Sequence, residues 1–278
     1  MRQGTRRRKI LYVFLDECVL VGGLLEGYGK IDSKRNSLEE SQKSHIESFN
    51  SLKNFYSYLE KELFNSNYEI SVKLLSFESS LKNAIKKLEG KEYRKYLDDK
   101  KLKKFNEYLK RRKNSQIKNN IYSESKEYSI KINGIHVNII REEYEKQYRE
   151  IFDREHRDLS EKDLKQVFDK DDINYIKIIT TYAKIRNGKG IYIFFTNDRR
   201  IVKKFSIILN RLLKKNVYIL DAEALNTLQK YIHQYCIDMS LDDLIKLLSD
   251  LSYEYILKSI NRNGKDKINY YYNTIKLC

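Results

Sequence analysis

The chain has 278 residues, with 55 Lys and Arg against 39 Asp and Glu, for a net charge of +16. It contains no proline, where an average composition would supply about 14, so proline-rich linkers and polyproline modules are excluded. A hydrophobic share of 41% and an aromatic share of 12% exclude a disordered chain. The basic balance points to a polyanionic partner, nucleic acid first.

The start is basic, and residues 10–15 form an apolar run that ends at Asp16 and Glu17. That run is too short for a signal h-region, and no stretch of about 18 apolar residues is present to span a membrane. It reads as a strand buried on both faces of a parallel sheet. Residues 19–28 read as helix or loop, with Gly22 and Gly23 weakening the helix. A helix is predicted over 37–63, where Ile46, Phe49, Leu52, Phe55, Leu59 and Leu63 recur at three- and four-residue spacing. A short strand over 68–75 follows, then a helix from Phe77 with Leu81, Ile85 and Leu88 on one face.

Residues 86–113 hold 13 basic and 5 acidic residues, a net of +8. Tyr93, Leu97, Leu102, Phe105 and Leu109 keep helical spacing there, so the block reads as a solvated helix or helix pair. Tyr93, Tyr96 and Tyr108 interleave the charges and offer stacking surfaces for single-stranded bases. Residues 127–140 read as a hairpin about Asn133-Gly134 with a type I′ turn. In that register Tyr128, Ile130 and Ile132 face Ile139, Val137 and Ile135 on one apolar side. A charged helix over 141–154 and a Ser-x-x-Asp helix start at Ser160 come next. A helix over 171–185, a strand over 190–195, a basic helix over 198–213, a strand over 216–220 and a helix over 222–235 complete the pattern. Their alternation predicts a parallel α/β sheet. The last helix, 240–260, sets Leu241, Leu244, Leu248 and Leu251 on one side, a face for the core or for a homodimer.

Carboxylates recur at the predicted strand ends, where open α/β sheets form their crevices. Asp16 follows the first strand, Glu78 opens the helix after the second, Asp171 and Asp172 start a later helix, and Asp198 follows the strand over 190–195. Gathered together, four carboxylates need a cation, and oxygen-only donors favour Mg²⁺ or Mn²⁺. Each residue also fits a plainer role. Asp16 suits a turn, Asp198 a helix N-cap, and Glu78 a first helical turn favoured by the dipole.

The order of these residues, with Thr196-Asn197-Asp198 behind an apolar strand, resembles the PIN-domain nucleases. The resemblance covers roughly 8–82 and 155–235. It implies a PIN-like, mainly parallel central sheet flanked by helices, and a metal-dependent ribonuclease. By resemblance Asp16, Glu78, Asp172 and Asp198 are the catalytic metal ligands, with Thr196 and Asn197 as braces. Asp171 remains the alternative to Asp172, since both share a face with apolar residues. The first motif continues with Glu17-Cys18 where the family commonly has Thr-Asn. The implied organisation is a nuclease core of 1–82 and 155–235, a basic helical and hairpin insertion of 83–154, and a helical extension of 236–278.

Arg199, Arg200, Lys203 and Lys204 after the motif, and Lys103, Lys104, Arg111 and Arg112 in the basic block, are the candidate phosphate contacts. RNA is the expected partner, with DNA cleaved by a flap-type nuclease as one alternative and a non-catalytic nucleic-acid binder as another. Nothing in the chain specifies a protein inhibitor. Cys18, Cys236 and Cys278 lack the spacing of a disulfide scaffold or zinc knuckle, which leads to the expectation of a reducing, cytoplasmic location. His45, His136, His156 and His233 share no ligand spacing.

Overall fold

The computed structural model describes residues 9–29, 38–65, 70–118, 126–155, 170–186, 190–198, 217–235 and 241–261. In chain order the described elements are β1 (Lys9–Leu15), α1 (Glu17–Tyr28), α2 (Glu40–Asn65), β2 (Ile70–Phe77), α3 (Glu78–Glu89), α4 (Lys91–Arg94) and α5 (Asp99–Lys118). They continue with β3 (Glu127–Ile132), β4 (Ile135–Ile140), α6 (Glu142–Glu155), α7 (Lys170–Ile185), β5 (Gly190–Phe195), β6 (Val217–Leu220), α8 (Ala222–Tyr235) and α9 (Leu241–Asn261). The helix starts expected at Ser160 and over 198–213 lie outside the described residues.

The six strands form one sheet in the order β3-β4-β2-β1-β5-β6. All neighbours are parallel except β3 and β4. The chain is therefore an α/β protein with a mostly parallel sheet flanked by helices. The continuous apolar runs are explained by burial on both sides. Leu11, Val13 and Leu15 of β1 enter one core, and Tyr12 and Phe14 enter the other. Ile191, Ile193 and Phe195 against Tyr192 and Phe194 divide β5 in the same way. Helices α1, α2, α3, α5, α8 and α9 contribute to the first core, and α6 and α7 to the second.

The hairpin matches its sequence register residue by residue, with Tyr128 opposite Ile139, Ile130 opposite Val137 and Ile132 opposite Ile135. Asn133 and Gly134 adopt φ of 42° and 94°, the positive pair that a type I′ turn requires. β4 pairs with β2, so the hairpin of the 83–154 segment extends the central sheet. Leu244, Leu248 and Leu251 of α9 are buried in the first core.

Three local differences from the sequence reading have physical causes. Helix α1 forms throughout, because Gly22 and Gly23 are contact points. A Cβ on Gly22 would stand 1.9 Å from the His45 carbonyl oxygen, and one on Gly23 would stand 2.3 Å from the Phe49 ring. The glycines lower helix propensity but let α1 approach α2 closely, Gly22 against backbone and Gly23 against a side chain. Strand β2 runs to Phe77, so Glu78 follows its strand as directly as Asp16 follows β1. Tyr93 and Tyr96, each 1% exposed, are core residues, because the turns around α4 fold back onto α2. Their rings are therefore closed to bases, whereas Tyr108 is half-buried.

Both lateral edges of the sheet receive a hydroxyl from a helix. The Lys131 N–H of β3 donates to the Tyr108 hydroxyl of α5 at 3.2 Å. The Ile219 N–H of β6 donates to Ser252 Oγ of α9 at 3.0 Å. No helix among the described residues is long and apolar enough to cross a membrane.

Candidate active site

Strand order positions the site. From β1 the chain first builds outward through β2, then returns to add β5 and β6 on the other side. The order thus reverses between β1 and β5, and a crevice opens at the carboxyl ends of strands at such a switch point. Asp16 follows β1 there and Thr196, Asn197 and Asp198 follow β5. The register sets Leu15 beside Phe195, and the Asp16 N–H donates to the Phe195 carbonyl at 3.2 Å.

Asp16 is 4% exposed and caps α1, its Oδ1 accepting the Glu17 N–H at 2.7 Å. Its Oδ2 accepts the Thr196 hydroxyl at 2.7 Å and the Cys18 thiol at 3.2 Å. Burial raises its pKa above the ordinary carboxylate value, the three hydrogen bonds oppose the shift, and the charge of Asp198 adds to it. Burial and the neighbouring Asp16 push the Cys18 thiol well above its usual pKa, so it stays a protonated donor. Thr196 is fully buried and also accepts the Asp198 N–H at 3.0 Å, linking the two aspartates through one hydroxyl. Asn197 donates to Ser48 of α2 and accepts the Ala222 N–H of α8 at 3.2 Å. That residue ties the corner to two helices.

His45 of α2 lies within the field of Asp198. Burial, with Lys87 adding, lowers its pKa to about 4, although Asp198 pulls the other way. The ring is thus neutral at neutral pH.

Glu78 lies at the end of the neighbouring strand, also 4% exposed, with different partners. Its Oε2 accepts the Glu142 N–H at the start of α6 at 3.0 Å. In return Glu145 of α6, fully buried, accepts the Ser79 N–H at 3.0 Å and the Ser79 hydroxyl at 2.7 Å at the start of α3. Two helix N-termini thus cap each other through crossed carboxylates, each meeting N–H groups that have no intrahelical partner. Burial raises the Glu145 pKa, against the Ser79 bonds and Arg149. The sequence reading assigned Glu145 no role. Its only signal is its place three residues before Tyr148 and seven before Phe152, on a face that proves to be buried.

Helix α7 starts at the same sheet edge, since Ser80 of α3 donates to the Tyr175 hydroxyl at 2.8 Å and Phe77 stacks on Tyr175. The side chains of Asp171 and Asp172, on its first turn, lie outside the described residues. So do Arg199, Arg200, Lys203 and Lys204. Lys103, Lys104, Arg111 and Arg112 are exposed on α5, which begins beside Tyr28, the far end of α1 from Asp16.

The structure therefore brings together Asp16, Thr196, Asn197 and Asp198, and gives Glu78 a separate partner on α6. Among the described residues no three His, Cys, Asp or Glu side chains stand close enough to hold a metal ion. The pair Asp16 and Asp198 still suits a hard cation, because Mg²⁺ commonly binds through one or two carboxylates and keeps several waters. No protein-family model matches the chain, and neither a curated protein nor a solved structure does.

Proposed function

We infer that the chain is a metal-dependent endoribonuclease with a PIN-like architecture, acting at the corner of Asp16 and Asp198. The observation that carries this reading is their place. Two carboxylates flank the β1/β5 switch point, where the Thr196 hydroxyl donates to the Asp16 carboxylate and accepts the backbone N–H of Asp198. Burial raises the Asp16 pKa and the charge of Asp198 adds to it, a cost that a cation relieves. Asp16 and Asp198 would hold Mg²⁺ or Mn²⁺, with Glu78 and the α7 turn of Asp171 and Asp172 approaching the same edge. When bound, such an ion supplies positive charge to a phosphodiester oxygen and acidifies water.

The residues of the chain do the positioning. Thr196 and the Glu17 N–H fix both oxygens of Asp16, and Asn197 holds the strand end between α2 and α8. Burial lowers the local dielectric, so the carboxylate attracts a cation more strongly than it would in water. The net charge of +16 supports a nucleic-acid substrate.

The cross-capped Glu78 favours a second reading, in which the chain binds nucleic acid without cleaving it and keeps the architecture as a scaffold. Cleavage of RNA, single-stranded DNA and forked DNA with Mn²⁺ separates these readings. The wild type is expected to cleave RNA. Asp16→Asn and Asp198→Asn are expected to lose at least about a hundredfold in rate with unchanged circular dichroism. Wild-type rates in both variants would overturn the assignment. Salt-sensitive binding with no cleavage under any divalent ion selects the scaffold. Preference for forked DNA selects a flap-type nuclease.

A further inference from the structure

At the other edge of the sheet, the end of α1, the basic helix α5 and the β3–β4 turn surround a cavity of about 450 Å³. Its walls include Tyr28, Tyr108, Arg112, Lys131, His136 and Gly134. Among the described residues no carboxylate lines it. Glu26, next to this wall in sequence, accepts the Asn133 side-chain amide at 2.9 Å.

We propose that this cavity binds a nucleotide, with the phosphate held by Lys131 and the N–H edge of Arg112, and the base laid beside the stack that the Arg112 guanidinium forms over Tyr108. The volume is that of a small-molecule site, which is typically about 300–1,000 Å³. Guanidinium and ammonium groups are the side chains that recognise phosphate, and a phenol ring offers a face on which any base can stack. The ring is already oriented. Its hydroxyl accepts the Lys131 N–H at 3.2 Å, the Arg112 guanidinium stands 5.5 Å from its centroid, and Phe105 packs at 6.3 Å. The mouth is open at Gly134, where a Cβ would meet no atom within 4 Å.

The nucleotide comes either from a free mononucleotide or from a single-stranded RNA, which share this chemistry. Helix α1 separates the cavity from Asp16 by about 18 Å, at 1.5 Å per residue, so occupancy requires no cleavage at the carboxylate corner.

The test is a binding titration of the full chain in EDTA, with labelled single-stranded RNA, AMP and inorganic phosphate as probes. Two double variants carry the same change of charge: Arg112→Glu with Lys131→Glu in the cavity, and Lys146→Glu with Lys230→Glu on the exposed faces of α6 and α8. The cavity pair is expected to weaken RNA or AMP binding at least about tenfold more than the control pair, with melting curves showing that both fold. Loss with RNA alone identifies a strand as the source, loss with AMP alone identifies a free nucleotide, and loss with both supports a nucleotide unit from either. Equal losses in the two pairs, binding of phosphate alone, or binding of neither RNA nor AMP by the wild type overturns the proposal. None of these outcomes depends on whether the chain cleaves RNA.

Discussion

Asp16 and Glu78 end neighbouring parallel strands and are equally buried, at 4% exposure each. Their partners separate them. Asp16 gathers a hydroxyl, a thiol and its own helix N-terminus, beside a second carboxylate. Glu78 reaches across to another helix, which returns a carboxylate of its own. Both Asp16 and Glu145 have pKa values raised by burial, and both meet helix N-terminal N–H groups; what sets Asp16 apart is the second carboxylate, Asp198, in its field. Position in the sheet marks both residues, but only their partners distinguish the proposed metal corner from a clasp between two helices.

The largest expected contrast is in rate. Asp16→Asn should remove cleavage and cost about 1–2 kcal/mol of stability, because the amide has one oxygen for the Glu17 N–H and the Thr196 hydroxyl, which now bond different oxygens. A smaller effect follows from Thr196→Val, which keeps the volume and releases both aspartates. Cleavage should fall about 10–100-fold, measured by steady-state kinetics with Mn²⁺ titration.

The clasp should respond in the opposite currency. Glu145→Ala leaves the half-buried Ser79 donors without their acceptor, and should cost about 1–2 kcal/mol by urea denaturation. Glu78→Gln retains shape but weakens the bond to the Glu142 N–H, for about 1 kcal/mol. Unchanged stability together with lost cleavage in Glu78→Gln would move Glu78 into the proposed metal corner and break the contrast.

The smallest effect is in pH, where the two regions have opposite signs. His45 has a depressed pKa, so its contribution to stability is present above the unfolded value of 6.5 and is lost as pH falls towards about 4. Glu145 has a raised pKa, so its contribution is full below its unfolded value of 4.5 and is lost as pH rises through the folded one. Denaturation curves at a series of pH values should show His45→Gln flattening the acid-side loss and Glu145→Gln flattening the loss on the other side.

Most of the sheet was legible in the sequence, because strand periodicity and the Asn-Gly turn are local. The apolar runs at 10–15 and 190–195 become the paired centre of the sheet, and the hairpin register follows from two residues. The order of Asp16 and Asp198 was legible too, since Asp16 directly follows one apolar run and Asp198 stands three residues past the end of another. The bond between Thr196 and Asp16 was not, because it joins residues 180 positions apart. Glu145 read as one more charge on a charged helix, since its partners are N–H groups on a different helix. Tyr93 read both as part of a helically spaced apolar set and as a stacking ring, and Tyr96 as a stacking ring, because the basic residues around them gave no sign of the fold-back onto α2. Local pattern fixes elements, and long-range donors decide what a polar residue does.

Tyr108 and Ser252 have a consequence outside binding and catalysis. A strand at the border of a sheet exposes N–H and C=O groups that invite another chain to add itself, the route to ordered aggregates. Here each border strand has one of its outward N–H groups taken by a helix hydroxyl, Lys131 by Tyr108 and Ile219 by Ser252. The two helices thus act as bumpers against edge-to-edge growth, and the tyrosine that lines the cavity beside the hairpin is also part of the guard against self-association.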